Sequence, residues 1–228
     1  PKNMLELLGV ESLNVDINNS FASPDEIIKL IYNGFTAISQ QIYPYIYSGK
    51  INILFAGRFV PQKGIPVLIN IIKRVDEKVF YFHIAGKGPL EEIILQELGN
   101  KSNVRITPPI FSLAQYLSSF DYVFIPSEHE GLNSLSIESS INKVPVIIND
   151  IDGLNETLPQ NYPLKVKNNC IDEYMTLFTD VIPTIDRVSL IDSVYQYSCQ
   201  KFDIQQMQKQ YEYIYKTGKK YGCFFHEK

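Results

Sequence analysis

Short apolar runs of strand length alternate with segments of helical spacing between residues 51 and 167, and this alternation narrows the possible folds more than any other feature of the chain. The strand-like runs cover 51–56, 79–85, 104–107, 122–125, 144–148 and 164–166, and helical spacing fills 65–75, 90–98, 113–119 and 134–142 between them. Runs that are apolar throughout, rather than at every second residue, suit strands buried on both faces. The expected fold class is therefore α/β, a doubly wound parallel sheet with helices on both faces. Ligands of such sheets bind beyond the carboxyl ends of the strands, where Gly57, Gly86, Pro108 and residues 127–131 all fall.

Residues 121–149, DYVFIPSEHEGLNSLSIESSINKVPVIIN, concentrate the chemistry. Pro126, Ser127 and Gly131 mark a turn out of the fourth strand, and a helix is expected to begin near Asn133 or Ser134, either of which can cap it. Glu130 then lies just before the helix, and Glu138, with seven residues between, about one turn inside it. Free amides at a helix start suit phosphate oxygens, and carboxylates accept hydrogen bonds from sugar hydroxyls. A nucleotide joined to a sugar presents both kinds of group. Upstream, Arg58 and Lys63 share a glycine-bounded loop after the first strand, where two cations can meet a diphosphate.

The segment with Glu130 and Glu138 resembles the Glu-x7-Glu segment of retaining glycosyltransferases of the GT-B fold, in the large family four of nucleotide-sugar transferases. The resemblance runs from residue 31 to about residue 215. Ile31-Tyr-Asn-Gly34 looks like the family's Asn-Gly turn at the end of the acceptor domain, and Ala56-Gly-Arg-Phe-Val-Pro-Gln-Lys-Gly64 looks like its Gly-Arg…Lys-Gly loop. Gly86-Lys-Gly-Pro89 looks like its second glycine loop, and Val144-Pro-Val-Ile147 followed by Gly153 and Glu156 completes the order. Each motif alone is common, whereas the set in the expected order and spacing is specific.

The resemblance implies a Rossmann-like sheet, the C-terminal half of a GT-B enzyme, followed by C-terminal helices. It implies that Arg58 and Lys63 hold the nucleotide diphosphate, that Glu138 accepts hydrogen bonds from the ribose, and that Glu130 lies by the donor sugar or its phosphates. Arg58, Lys63 and Glu130 are the candidate catalytic residues. Gly57, Gly86, Gly88, Thr107, Gly131, Leu132, Asn133, Ser134, Leu135 and Glu138 are the candidate donor-binding residues. No metal and no cofactor are expected, the nucleotide diphosphate sugar being the donor substrate. Two departures from the family pattern stand out. Thr107-Pro-Pro109 replaces the usual glycine near the base, which leaves the base open, and Ser139 replaces a common alanine.

The expected organisation is a remnant of the acceptor domain and a hinge over 1–48, the nucleotide-sugar-binding domain over 49–183, and C-terminal helices over 184–228. Within the last, helices are expected over 186–199 and 203–219, with Met207, Tyr211 and Tyr215 on one face. Ser23-Pro-Asp-Glu26 suits the cap of a short helix in the first part. Pro1 in place of an initiator methionine, and a length of 228 residues against the two Rossmann-like domains of a GT-B enzyme, lead to the expectation of a fragment whose N-terminal acceptor domain is missing.

A hydrophobic content of 45% is ample for a packed core, and no run approaches the roughly 18 apolar residues needed to cross a bilayer. The three cysteines, Cys170, Cys199 and Cys223, show no Cys-x-x-Cys spacing, and no signal segment precedes them, so the expected location is the cytoplasm. The tyrosines at 43, 45 and 47 lack the basic amphipathic pattern of a membrane-surface segment, and a peripheral membrane role is left to the absent domain. A net charge of −4 without a Lys/Arg block gives no electrostatic footprint for nucleic acid. The expected partners are a nucleotide sugar and an acceptor glycan, lipid or protein.

Several rival readings carry less. Glu128 has the wrong spacing to Glu138, His129 reads as a solvated turn residue rather than a general acid, and His83, inside an apolar run, reads as core. Asp150-Ile-Asp152 matches a metal-binding triplet of another glycosyltransferase fold, but its place between a strand and Gly153 favours capping carboxylates. The resulting expectation is the donor-binding half of a retaining glycosyltransferase that moves a hexose to an acceptor hydroxyl, inactive as an isolated chain. The alternatives are a nucleotide-sugar-binding module without activity and a sugar-nucleotide epimerase, which would turn over its substrate with no acceptor present.

Overall fold

The computed structural model describes residues 31–220, so the expected cap at residues 23–26 and most of the expected remnant lie outside the described residues. Six strands, β1 (Ile51–Arg58), β2 (Phe80–Lys87), β3 (Val104–Thr107), β4 (Tyr122–Ile125), β5 (Val146–Asn149) and β6 (Lys165–Val166), form one sheet in the order β3-β2-β1-β4-β5-β6. Every pairing is parallel. The chain builds outward from β1 to β3, then returns to lay β4 on the other side of β1. That reversal is the topological switch point at which doubly wound sheets bind ligands.

The helices are α1 (Ile65–Arg74), α2 (Glu91–Leu98), a 3-10 helix (Leu113–Ser119), α3 (Ser134–Ile141), α4 (Ile171–Thr176), α5 (Arg187–Lys201) and α6 (Ile204–Lys220). A π-helical turn, Leu177–Val181, extends α4. α1 shows how sequence sets these elements. Gly64 enters it at φ 72°, Pro66 sits in its first turn where no N–H bond is lost, and Ile65, Leu68, Ile69 and Ile72 recur at helical spacing and are all buried. α1 packs against α2 and α4, and α3 packs against the 3-10 helix. Ile53 and Leu54 of β1, and Val123 and Phe124 of β4, are inaccessible or nearly so, which places the core along the two strands that meet at the switch point.

β1 and β2 each run two residues past their expected ends, to Arg58 and Lys87, and three other elements differ from the sequence expectation. β5 begins at Val146 rather than 144, because Lys143 adopts φ 62°, Val144 donates to the Ser139 carbonyl, and Pro145 has no N–H to give a ladder. Residues 113–119 coil as a 3-10 helix entered through a left-handed Ser112 at φ 53°. The helix at 171–181 has no counterpart in the sequence reading, although Ile171, Tyr174, Met175 and Phe178 recur at helical spacing. Its cap residue Cys170 makes no side-chain capping bond, so the usual start signal is missing.

The chain divides into two compact units, one of residues 37–198 and the other formed by the chain on either side. In the second, Phe35 bridges Asp203 in parallel and the Gly34 N–H points at the Met207 sulfur. A Cβ on Gly34 would stand 2.4 Å from the Ile204 Cα, so glycine is required there by close packing. Tyr211 and Tyr215 on α6 are exposed. No helix among the described residues is long and apolar enough to cross a membrane.

Candidate functional site

A cleft of about 540 Å³ opens beyond the carboxyl ends of β1 and β4. It is lined by Phe55, Ala56, Gly57 and Arg58 of β1, by Lys63, by Ala85, Gly86 and Lys87 of β2, and by Pro109, Ile110 and Leu113 after β3. Phe124, Ile125, Ser127 and Glu130 come from β4 and its loop, and Leu132, Asn133, Ser134, Leu135 and Glu138 from the start of α3. The cleft therefore gathers Arg58, Lys63, Glu130, Gly57, Gly86, Leu132, Asn133, Ser134, Leu135 and Glu138 from the sequence-based candidates. Gly88, Thr107 and Gly131 are not among its lining residues. Pro109, Ile110 and Leu113 provide the wall near Thr107 and give it an apolar character.

Lys63 and Glu130, 67 residues apart, form an ion pair of 2.6 Å, with side-chain exposures of only 21% and 10%. Partial burial makes such a charge-assisted bond stronger than a solvated pair. The two loops that carry it are joined along their backbones. Glu128 donates its N–H to the Gln62 carbonyl, and the Gln62 amide donates to the His129 carbonyl. A Cβ on Gly64 would stand 1.9 Å from the Pro126 oxygen, so the left-handed glycine also brings the loops into contact.

α3 starts where the sequence predicts. Asn133 caps it by accepting from the Ser136 N–H at 2.8 Å. The other amides of the first turn have no intrahelical acceptor, and with the helix dipole they favour an anion at this end. Glu138 lies one turn further, half-buried, and burial raises its carboxyl above the usual carboxylate range. Its ionised form is thus less stabilised in the folded protein than in water, and a hydroxyl donating to it would relieve that cost.

The loop after β4 rests on side chains that sequence reasoning missed. Asn149, buried at the end of β5, donates to the Ser127 carbonyl at 3.0 Å and accepts from the Asn169 N–H at 2.9 Å. Asn169 donates to the Pro126 carbonyl and accepts from the Tyr174 hydroxyl, each at 3.0 Å. The available signals were an asparagine closing an apolar strand and the pair Asn168-Asn169, both left-handed at φ 53° and 51°. From beneath, Gly153 at φ 78° meets the peptide of Glu130 and Gly131, where a Cβ would stand 1.9 Å from the Gly131 oxygen.

The glycines divide by the reason each is small. Cβ atoms on Gly86 and Gly88 would strike the Gly57 carbonyl and the Phe59 backbone, so both are fixed by packing between β1 and β2. A Cβ on Gly57 or Gly131 meets no atom closer than 3.9 Å.

His83 is 2% exposed and bonds Asn52 through Nε2, as expected of a core residue. Burial, then the nearby Arg105 charge, lowers its pKa to about 4. Glu128 and His129 are exposed, Asp150 accepts from the Asn155 amide, and Asp152 is exposed. Among the described residues no group of three His, Cys, Asp or Glu side chains is placed to hold a metal ion.

The family model for glycosyl transferases group 1 matches residues 50–179. A 155-residue stretch is 32% identical to an uncharacterized glycosyltransferase of Methanocaldococcus jannaschii, covering 61% of this chain and 40% of that protein. An uncharacterized 41.2 kDa protein in the cps region of Klebsiella pneumoniae is 30% identical over 141 residues, covering 58% of this chain and 38% of that one. The chain thus spans about two fifths of the length of these relatives. Among solved structures, Anabaena HepE in complex with UDP superimposes with a TM-score of 0.71 at 17% identity, covering 83% of this chain and 57% of that one. Sucrose-phosphate synthase of Thermosynechococcus elongatus gives a TM-score of 0.71 at 19% identity, covering 83% of this chain and 52% of that one. With the switch-point sheet, these matches mean that the chain belongs to the glycosyl transferases group 1 family and has the fold of the C-terminal, Rossmann-like half of its GT-B members.

Proposed function

We propose that this chain is the donor-binding half of a retaining glycosyltransferase that moves a hexose from a nucleotide diphosphate sugar to an acceptor hydroxyl. The observation that carries the reading is the convergence, in one cleft at the β1/β4 switch point, of Arg58, the Lys63–Glu130 pair, the capped start of α3 and Glu138. As the glycosidic bond to the diphosphate breaks, negative charge grows on the leaving phosphate while the anomeric carbon becomes oxocarbenium-like. Arg58, Lys63 and the α3 amides are suited to that negative charge. Glu130, beside Lys63, faces the sugar and its phosphates, and Glu138 takes the ribose hydroxyls. Retention requires the acceptor to enter from the face the diphosphate leaves.

Anabaena HepE is solved in complex with UDP-glucose, which makes a uridine donor the first to test. The apolar wall of Pro109, Ile110 and Leu113 suits the flat face of a base. Groups that hold the acceptor are assigned to sequence beyond this chain, so the isolated chain binds donor without transferring sugar. Any peripheral membrane contact is assigned there too.

Calorimetric titration of the 228-residue chain with uridine, guanosine and adenosine diphosphates and their hexose conjugates tests the reading. Saturable binding of one base, weakened at least tenfold by Arg58→Ala and by Glu138→Ala, is expected, since charge-assisted contacts are worth about 1.5–3 kcal/mol each. Absence of binding to all three bases would overturn it, as would hydrolysis or epimerisation of the sugar without an acceptor.

A further inference from the structure

We propose that Lys87 is a further cation for the donor's diphosphate, beside Arg58 and Lys63, an inference that rests on the donor-site reading above. Three cations line the cleft, Arg58, Lys63 and Lys87, but they are not equivalent. Lys63 already has an anionic partner, Glu130, at 2.6 Å, so it meets the diphosphate as one member of a pair. Arg58 and Lys87 take part in none of the ion pairs or side-chain hydrogen bonds found among the described residues. They are register partners on adjacent parallel strands. Partners in register project to the same face of a sheet, with strands about 4.8 Å apart, so the two cations stand side by side at the strand ends. A diphosphate carries its charges on two neighbouring phosphorus centres that lie closer together than the strands do, and two long cationic side chains rooted on adjacent strands can converge on them, one on each.

The backbone that carries the exposed Lys87 side chain is fixed on both sides. Its carbonyl accepts from the Phe59 N–H at 3.0 Å, and the glycines on either side are fixed against the Gly57 carbonyl and the Phe59 backbone. The backbone that presents the ammonium is therefore rigid, which limits the entropy lost when the side chain engages a ligand. In a chain with net charge −4, two cations without anionic partners at one switch point mark a local site for an anion. Two such charges match a diphosphate better than a monophosphate. Lys87 thus adds to affinity where the second phosphate is present and contributes little to binding of the nucleoside.

The test compares uridine, uridine monophosphate and uridine diphosphate, with guanosine and adenosine diphosphates in parallel, on the wild-type chain and on Lys87→Gln, Lys87→Glu and Lys87→Arg. Lys87→Gln is expected to weaken the preferred diphosphate about tenfold, and Lys87→Glu more, while nucleoside binding stays within about twofold and Lys87→Arg restores most of the loss. The salt dependence of diphosphate binding is expected to flatten in Lys87→Gln. Unchanged diphosphate affinity in Lys87→Gln, with the wild type binding well, would overturn the role of Lys87 and leave the donor site standing. An equal loss for nucleoside and diphosphate would also overturn it, because that pattern marks a disturbed fold. A wild-type chain that binds none of the diphosphates overturns the donor-site reading, and the role of Lys87 with it.

Discussion

Buried and half-buried polar side chains fix both ends of the sheet, but to different degrees. At the carboxyl end, Asn149 and Asn169 bond the loop after β4, and the side-chain oxygen and nitrogen of each have partners. At the amino end, Asn52 ties β1 to residues 47 and 50 and receives the His83 ring. There, His83 keeps a buried Nδ1 with no partner, enclosed by Tyr43, Tyr81 and Phe120 and near Arg105. A closed network holds a loop in one place, whereas an open one leaves the fold sensitive to a proton. The end with the cleft is the closed one, and its network holds the loop that carries Glu130.

The strongest way to break the carboxyl end is to remove its backbone fit. Gly64→Ala would place a Cβ on the Pro126 oxygen at a left-handed φ of 72°, so both strain and overlap oppose it. A loss of about 4 kcal/mol is expected in urea unfolding, the sum of a strained backbone and an overpacked contact. A variant of wild-type stability would show that the Lys63 and Glu130 loops do not need this approach.

The amino end is tested by acid. In the unfolded chain His83 takes its proton near pH 6.5, but in the folded protein only near pH 4. Between those values the unfolded state binds more protons, so stability falls as pH drops from 6.5 to 4 and the penalty is complete below 4. Two and a half pH units correspond to about 3 kcal/mol. His83→Gln keeps a donor for Asn52 and is expected to lack this part of the acid response, measured as the difference between the two unfolding curves from pH 7 to 4. Parallel curves would mean that the buried ring finds a partner for its second nitrogen on protonation.

Asn149→Ala opens the closed network. The buried Ser127 carbonyl and the half-buried Asn169 N–H lose their partner, which costs about 2 kcal/mol. Nucleoside diphosphate affinity is expected to fall in the same variant, because the loop bearing Glu130 is released. A variant that loses stability but keeps affinity would separate the network from the cleft.

These cases also show what a linear sequence carries. β3 and β4 were legible to the residue: β4, apolar throughout, has one stable place, inside a covered sheet, and β3, Val-Arg-Ile-Thr at the sheet edge, is a short run rich in β-branched residues. The cap of α3 was legible because an asparagine three residues before a backbone N–H is a local signal. The Lys63–Glu130 pair could be named residue by residue but not as a pair, since its members are 67 positions apart and meet only through the crossover. Asn149 and Asn169 stayed hidden for a related reason. An asparagine's role depends on which carbonyls the fold brings to it, and neither residue has a charge or a periodic position to mark it.

Gly131 is expected to give the smallest change in stability. Its neighbour across the loop, Gly153, cannot accept a Cβ, but Gly131 itself faces open space and is not left-handed. Gly131→Ala should therefore shift unfolding by less than about 0.5 kcal/mol, with a slight gain available from a stiffer unfolded chain. The protein's own packing does not explain the glycine, and on the proposed donor-site reading its reason is the close approach of a ligand. The expected signature is a several-fold loss of UDP-glucose affinity in a variant that is otherwise as stable as the wild type. If that affinity is unchanged, Gly131 is a turn residue alone, and the donor site begins at Leu132.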